Sequence, residues 1–123
     1  MSKKILVADD ESHILNVVSL KLRNAGFEVV TAGDGAEALA LARQERPALL
    51  ITDYHMPLLN GVDVCRRLRE EDSGWDVPAI MLTARGNELT PAELEAGGIV
   101  EVVSKPFSPR ELLAVVARHL QAA

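Results

Sequence analysis

Aromatic residues are scarce. Phe27, Tyr54, Trp75 and Phe107 are the whole supply in 123 residues. Four scattered rings cannot build a platform on which successive bases stack. Cysteine is scarcer still: Cys65 stands alone, which excludes an internal disulfide and cannot by itself make a structural zinc site. Positive charge is also short, with 13 Lys and Arg against 18 Asp and Glu and a net charge of −5. A fold-wide attraction to nucleic acid is therefore not expected. The one local basic cluster, Arg66, Arg67 and Arg69, is followed at once by Glu70-Glu71-Asp72 and reads as a solvated helix face. Long apolar runs are missing too. A stretch such as Ala48 to Ile51 is far too short to span a bilayer. Only four apolar residues separate Lys4 from Asp9 and Asp10, too few for a secretory signal. These absences lead to the expectation of a cytoplasmic protein with no membrane insertion. No repeat, low-complexity segment or linker interrupts the chain, and its length suits one domain.

What the chain does have is alternation. Five short runs rich in Val, Ile and Leu recur: Ile5 to Ala8, Val29 to Ala32, Leu49 to Thr52, Ala79 to Thr83 and Ile99 to Val103. None shows polar alternation, so they read as parallel strands buried on both faces. Helix signals lie between them. Ile14, Val18 and Leu22 are spaced by four, and Gly26 follows as a stop. Asp34 and Glu37 have capping-box spacing before an alanine-rich run. Gly61 leads into Val64 and Leu68. Thr90-Pro91 with Glu93, and Ser108-Pro109 with Glu111, are the two clearest helix starts. The pattern predicts a single-domain α/β fold, a (βα)5 doubly wound parallel sheet with right-handed crossovers.

Open parallel sheets bind ligands beyond the carboxyl ends of their strands. Just past the first run stand Asp9, Asp10 and Glu11. The third leads to Asp53, the fourth ends in Thr83, and the fifth precedes Ser104 and Lys105. If the first and third strands are neighbours, at least three carboxylates converge and resist ionising together. A divalent cation removes that penalty. Oxygen donors are hard ligands, so Mg²⁺ is the natural occupant. Three acids, an ammonium, a hydroxyl and a metal suit phosphoryl transfer, with a carboxylate available as the nucleophile.

At these residues the sequence resembles a response-regulator receiver domain of bacterial two-component signalling. The matching pieces are Val7-Ala8-Asp9-Asp10-Glu11, Thr52-Asp53-Tyr54-His55-Met56-Pro57 with Asn60-Gly61, Leu82-Thr83-Ala84, and Lys105-Pro106-Phe107. They cover nearly the whole chain, so residues 1–123 are taken as one receiver domain. The resemblance implies the flavodoxin-like strand order 2-1-3-4-5. It implies that Asp53 is the phosphoacceptor, becoming an aspartyl phosphate. Asp10, Asp53 and the backbone carbonyl of His55 would bind Mg²⁺, with Asp9 acting through a coordinated water. Lys105 and Thr83 would each meet a phosphoryl oxygen, and the Lys105-Pro106 bond would be cis. The implied donor is a phosphohistidine on a sensor histidine kinase or phosphotransfer protein. The implied output is a changed surface for a downstream protein target, with no direct binding of nucleic acid by this chain. Such a protein promotes its own phosphorylation and dephosphorylation and is not expected to be an enzyme acting on an outside substrate.

Two features depart from the family pattern. Val102 stands where an aromatic that changes rotamer is usual, which puts the switch on Thr83 and the segment from Ala84 to Thr90. The fourth helix, from Pro91 to Ala96, is short. His55 and Arg85 flank the expected entrance and are candidates for tuning hydrolysis. Elsewhere Cys65 is expected to be a buried small hydrophobe, His13 and His119 ordinary surface residues, and Trp75 distant from the acidic edge. Two rival readings stand beside the switch. An aspartyl-intermediate phosphatase would need a leaving-group acid and a cap domain, and neither is legible. A pseudo-receiver would bind partners without phosphorylation, and the full acidic set argues against it. No effector domain is expected within these 123 residues, and a stand-alone receiver and the N-terminal piece of a longer regulator are both open.

Overall fold

A computed structural model describes residues 3–84 and 89–120. Five strands alternate with five helices along the chain. They are β1 (Lys4–Ala8), α1 (Ser12–Asn24), β2 (Glu28–Ala32), α2 (Gly35–Glu45), β3 (Leu49–Asp53), α3 (Gly61–Glu71), β4 (Ala79–Thr83), α4 (Pro91–Gly97), β5 (Ile99–Ser104) and α5 (Pro109–His119). All pairings are parallel, and the sheet order is β2-β1-β3-β4-β5. Both the α/β class expected from the pattern and the order implied by the resemblance are found.

Alternate residues of each strand feed two apolar layers, because successive side chains point to opposite faces. Leu6, Leu50 and Met81 pack with Ala38, Val64 and Leu68 beneath α2 and α3. Ile5, Ile51, Ile80 and Leu82 pack with Val18, Leu22, Leu112 and Val116 beneath α1 and α5. The core strands β1, β3 and β4 are buried almost throughout. The expectation that all five are buried on both faces needs correction for β2 and β5. They close the two edges of the sheet, and most residues of each are exposed or half-buried.

The helix starts follow local chemistry. Thr90 and Glu93 form a reciprocal capping box, with Pro91 in the first turn. α4 runs to Gly97, one residue past the expected end, and stops at the left-handed Gly98. Ser108 accepts from the Glu111 amide at 3.1 Å. Asp34 accepts from the Glu37 amide at 2.7 Å, while the Glu37 carboxylate accepts from the Gly33 amide, one residue before the cap. No described helix is long and apolar enough to cross a membrane.

Candidate functional site

Register decides which residues meet. Ala8 pairs with Thr52, so Asp9 and Asp53 leave neighbouring strands at the same level. Thr83 pairs with Ser104, and the Lys105 amide donates to the Thr83 carbonyl at 2.8 Å. The carboxyl ends of β1, β3, β4 and β5 therefore deliver Asp9, Asp10, Asp53, Thr83 and Lys105 to one edge.

One carboxylate oxygen from each of Asp9, Asp10 and Asp53 lies within 4.8 Å of the others. Asp9 is fully buried, Asp53 nearly so, and Asp10 exposed. The two oxygens of Asp9 are both engaged: Oδ1 accepts from the Glu11 amide at 2.9 Å, and Oδ2 accepts from Lys105 Nζ at 3.1 Å. The same ammonium lies 3.4 Å from Asp53 Oδ1 and 3.6 Å from Glu11 Oε1. The Lys105-Pro106 bond is cis.

The electrostatics follow from that crowding. Burial, then the charge of Asp9, pushes the Asp53 carboxyl up to about 6, against the pull of Lys105. Burial likewise raises Asp9, although the Glu11 amide and Lys105 oppose it. Burial works to lower Lys105, but the hydrogen bond to Asp9 and the charges of Asp53, Asp9 and Glu11 outweigh it and hold its pKa above the ordinary value. Among the described residues Lys105 is the one cation paired with these acids, meeting Asp9, Asp53 and Glu11. The deficit of positive charge, on a set made only of oxygen donors, fits a divalent hard cation held by Asp9, Asp10 and Asp53.

The remaining expected residues are placed as follows. Thr83 is fully buried at the end of β4. His55 is exposed in the loop after β3, its ring stacked on Tyr54 with centroids 4.7 Å apart. Val102 pairs with Met81 and packs, half-buried, on the α2 and α3 side of the sheet. Arg85 lies outside the described residues, as does most of the segment from Ala84 to Thr90. Cys65 is buried, and burial pushes its thiol up to about 12. Trp75 sits before β4 under the guanidinium of Arg46, 5.8 Å from the ring centroid. His13 is exposed, as expected, and lines a cavity of about 510 Å³ between α1 and the turn after β5, which Glu11, Ile14, Lys105 and Phe107 also line. The surface reading of His119 needs correction. It is half-buried, and its Nε2 lies 3.2 Å from Glu101 Oε1 on β5. Its place four residues after the buried Val115 turns it toward the sheet.

Two residues that shape the site carried no assigned role in the sequence. Glu11 caps α1 without a side-chain cap bond and instead reaches toward Lys105. Gly61 is required by space: a Cβ there would stand 2.4 Å from the Asp53 carbonyl oxygen and 2.7 Å from Met81 Sδ. The signal for Gly61 was the Asn60-Gly61 pair. Its meaning depends on how closely α3 returns to β3.

The chain is similar to known proteins over nearly its whole length. The family model described as the response regulator receiver domain matches residues 5–117. The alkaline phosphatase synthesis transcriptional regulatory protein PhoP of Bacillus subtilis is 41% identical over 121 residues, covering 98% of this chain and 50% of that protein. The chain spans about half the length of the curated relatives it matches. Chemotaxis response regulator CheY4 of Vibrio cholerae superposes with a TM-score of 0.88 at 36% identity, covering 98% of this chain and 100% of that one. The receiver domain of sensor histidine kinase PA1611 of Pseudomonas aeruginosa, solved with a magnesium ion coordinated in its active site cleft, has a TM-score of 0.84 at 28% identity, covering 97% and 98%. With the acidic edge, the sheet order and these matches in agreement, this chain belongs to the response regulator receiver domain family.

Proposed function

We propose that this receiver domain is a phosphorylation-dependent switch in which Asp53 accepts a phosphoryl group from a phosphohistidine. The observation that carries the reading is the gathering of Asp9, Asp10 and Asp53 within 4.8 Å, with Lys105 Nζ 3.4 Å from Asp53. An Asp53 carboxylate oxygen attacks phosphorus in line. The bond from phosphorus to the donor's imidazole nitrogen breaks, and the imidazole leaves with the electron pair and takes a proton. Mg²⁺, held by Asp10, Asp53 and the His55 carbonyl with Asp9 acting through a bound water, would neutralise charge on the transferred group. Lys105 exchanges carboxylate partners for a phosphoryl oxygen. Thr83, buried at the end of β4, offers its hydroxyl to another. Hydrolysis reverses the modification by water attack on phosphorus, with His55 at the entrance.

The donor is a sensor histidine kinase or phosphotransfer protein in the cytoplasm, and the output is an altered surface for a protein target. Turnover is of the protein's own phosphate, so labelling is stoichiometric. The experiment is mass spectrometry after incubation with acetyl phosphate and Mg²⁺. A gain of one phosphate that vanishes in Asp53→Asn supports the switch. No gain, or a gain that survives the substitution, overturns it. Val102 in place of an aromatic favours the pseudo-receiver as the second reading, and the same absence of a gain would select it.

A further inference from the structure

The loop from Tyr54 to Asn60 joins β3 to α3 and carries the His55 carbonyl. It is closed on itself: the Gly61 amide donates to the Tyr54 carbonyl at 2.9 Å, and the Leu59 amide donates to the Pro57 carbonyl at 2.8 Å. Leu58 between them has a left-handed φ of 73°. The far end is fixed, because Asn60 and Asp63 form the capping box that starts α3. The near end is fixed as well, because Gly61 returns onto the Asp53 carbonyl with no room for a Cβ.

A third restraint comes from a different element. Gly35, the first residue of α2, lies against the Leu59 backbone. A Cβ on Gly35 would meet the Leu59 carbonyl oxygen at 2.1 Å, its Cβ at 2.6 Å and its carbonyl carbon at 2.8 Å. Ordinary contact needs more than 3 Å, so any side chain at 35 must drive Leu59 away. Both loop ends are pinned, so the displacement passes into Tyr54 to Leu58. Gly33, two residues earlier, has nothing within 4 Å of such a Cβ.

We propose that Gly35 is a positioning residue for the metal-binding loop: the N-terminus of α2 seats Leu59 and so sets where the His55 carbonyl stands relative to Asp53. The inference rests on the Mg²⁺ reading above and adds a residue that touches no ligand of the ion. It implies that α2 and the loop respond together when the site is filled.

The test compares Mg²⁺ affinity, by calorimetry or NMR titration with Mg²⁺ alone, in wild type, Gly35→Ala and Gly33→Ala, each checked for cooperative unfolding. Gly33→Ala should bind like wild type, and Gly35→Ala at least fivefold more weakly. Equal affinity in a folded Gly35→Ala overturns the positioning role and leaves the Mg²⁺ reading intact. A wild-type protein that binds no Mg²⁺ overturns both. Should Gly35→Ala not fold, the wild-type titration decides. The amide signals of Gly35 and Glu37 should shift along with those of His55 and Leu59, and silence in α2 would reject the coupling.

Discussion

Replacing Asp53 with asparagine should make the metal-free protein more stable at neutral pH. Burial and the neighbouring Asp9 charge raise the Asp53 carboxyl from 3.8 to about 6. A rise of about two pK units corresponds to about 3 kcal/mol of penalty for holding the charged form in the fold. The sign is that of an acid whose folded pKa lies above its unfolded one. Between about pH 4 and pH 6 the native state binds more protons than the unfolded chain, so stability falls as pH rises through that window and then levels. Asparagine is neutral throughout and escapes that loss, in which the opposing attraction of Lys105 at 3.4 Å is already included. The net gain should be about 1–3 kcal/mol near pH 7.5, or roughly 3–10 °C in Tm for a domain of this size. Urea unfolding of both proteins in EDTA at pH 7.5 and near pH 4 measures it. The gap should be large at the higher pH, shrink at the lower, and narrow again when Mg²⁺ is added at pH 7.5. An asparagine variant that is no more stable than wild type at pH 7.5, or a gap indifferent to pH, would refute the reasoning.

Lys105→Ala leaves the fully buried Asp9 without its cation and should cost about 3 kcal/mol in the same assay; a change below about 1 kcal/mol would show that Asp9 is satisfied without it. Asn60→Ala removes the side chain that accepts from the Asp63 amide at 2.8 Å and should cost about 1 kcal/mol, read from the urea midpoint at unchanged slope. Cys65, buried and with its thiol pushed up to about 12, should react with a thiol reagent only as fast as the protein unfolds; rapid native labelling would contradict its placement. Comparing phosphate lifetimes of wild type and His55→Ala tests whether the exposed imidazole beside Tyr54 influences water attack; a role predicts at least a twofold change.

Much of this architecture is legible because parallel sheets gather strand ends. Once five apolar runs are read as strands, Asp9, Asp53, Thr83 and Lys105 fall on one edge whatever lies between them. The caps at Thr90 and Ser108 are legible because their chemistry is local. Burial of β2 and β5 is not, because edge position depends on strand order and not on the composition of a run. The pairing of His119 with Glu101 spans 18 residues, and only the docking of α5 beside β5 creates it. The reach of Glu11 toward Lys105 is hidden for the same reason. The demands on Gly35 and Gly61 are likewise set by backbones that approach from distant parts of the chain.

The most direct test of the central claim is a crystal structure grown with Mg²⁺. The account predicts one ion with oxygens of both Asp10 and Asp53 at about 2.1 Å, joining the ends of β1 and β3. An ion bound at only one of those strand ends, or at none of these carboxylates, would contradict it.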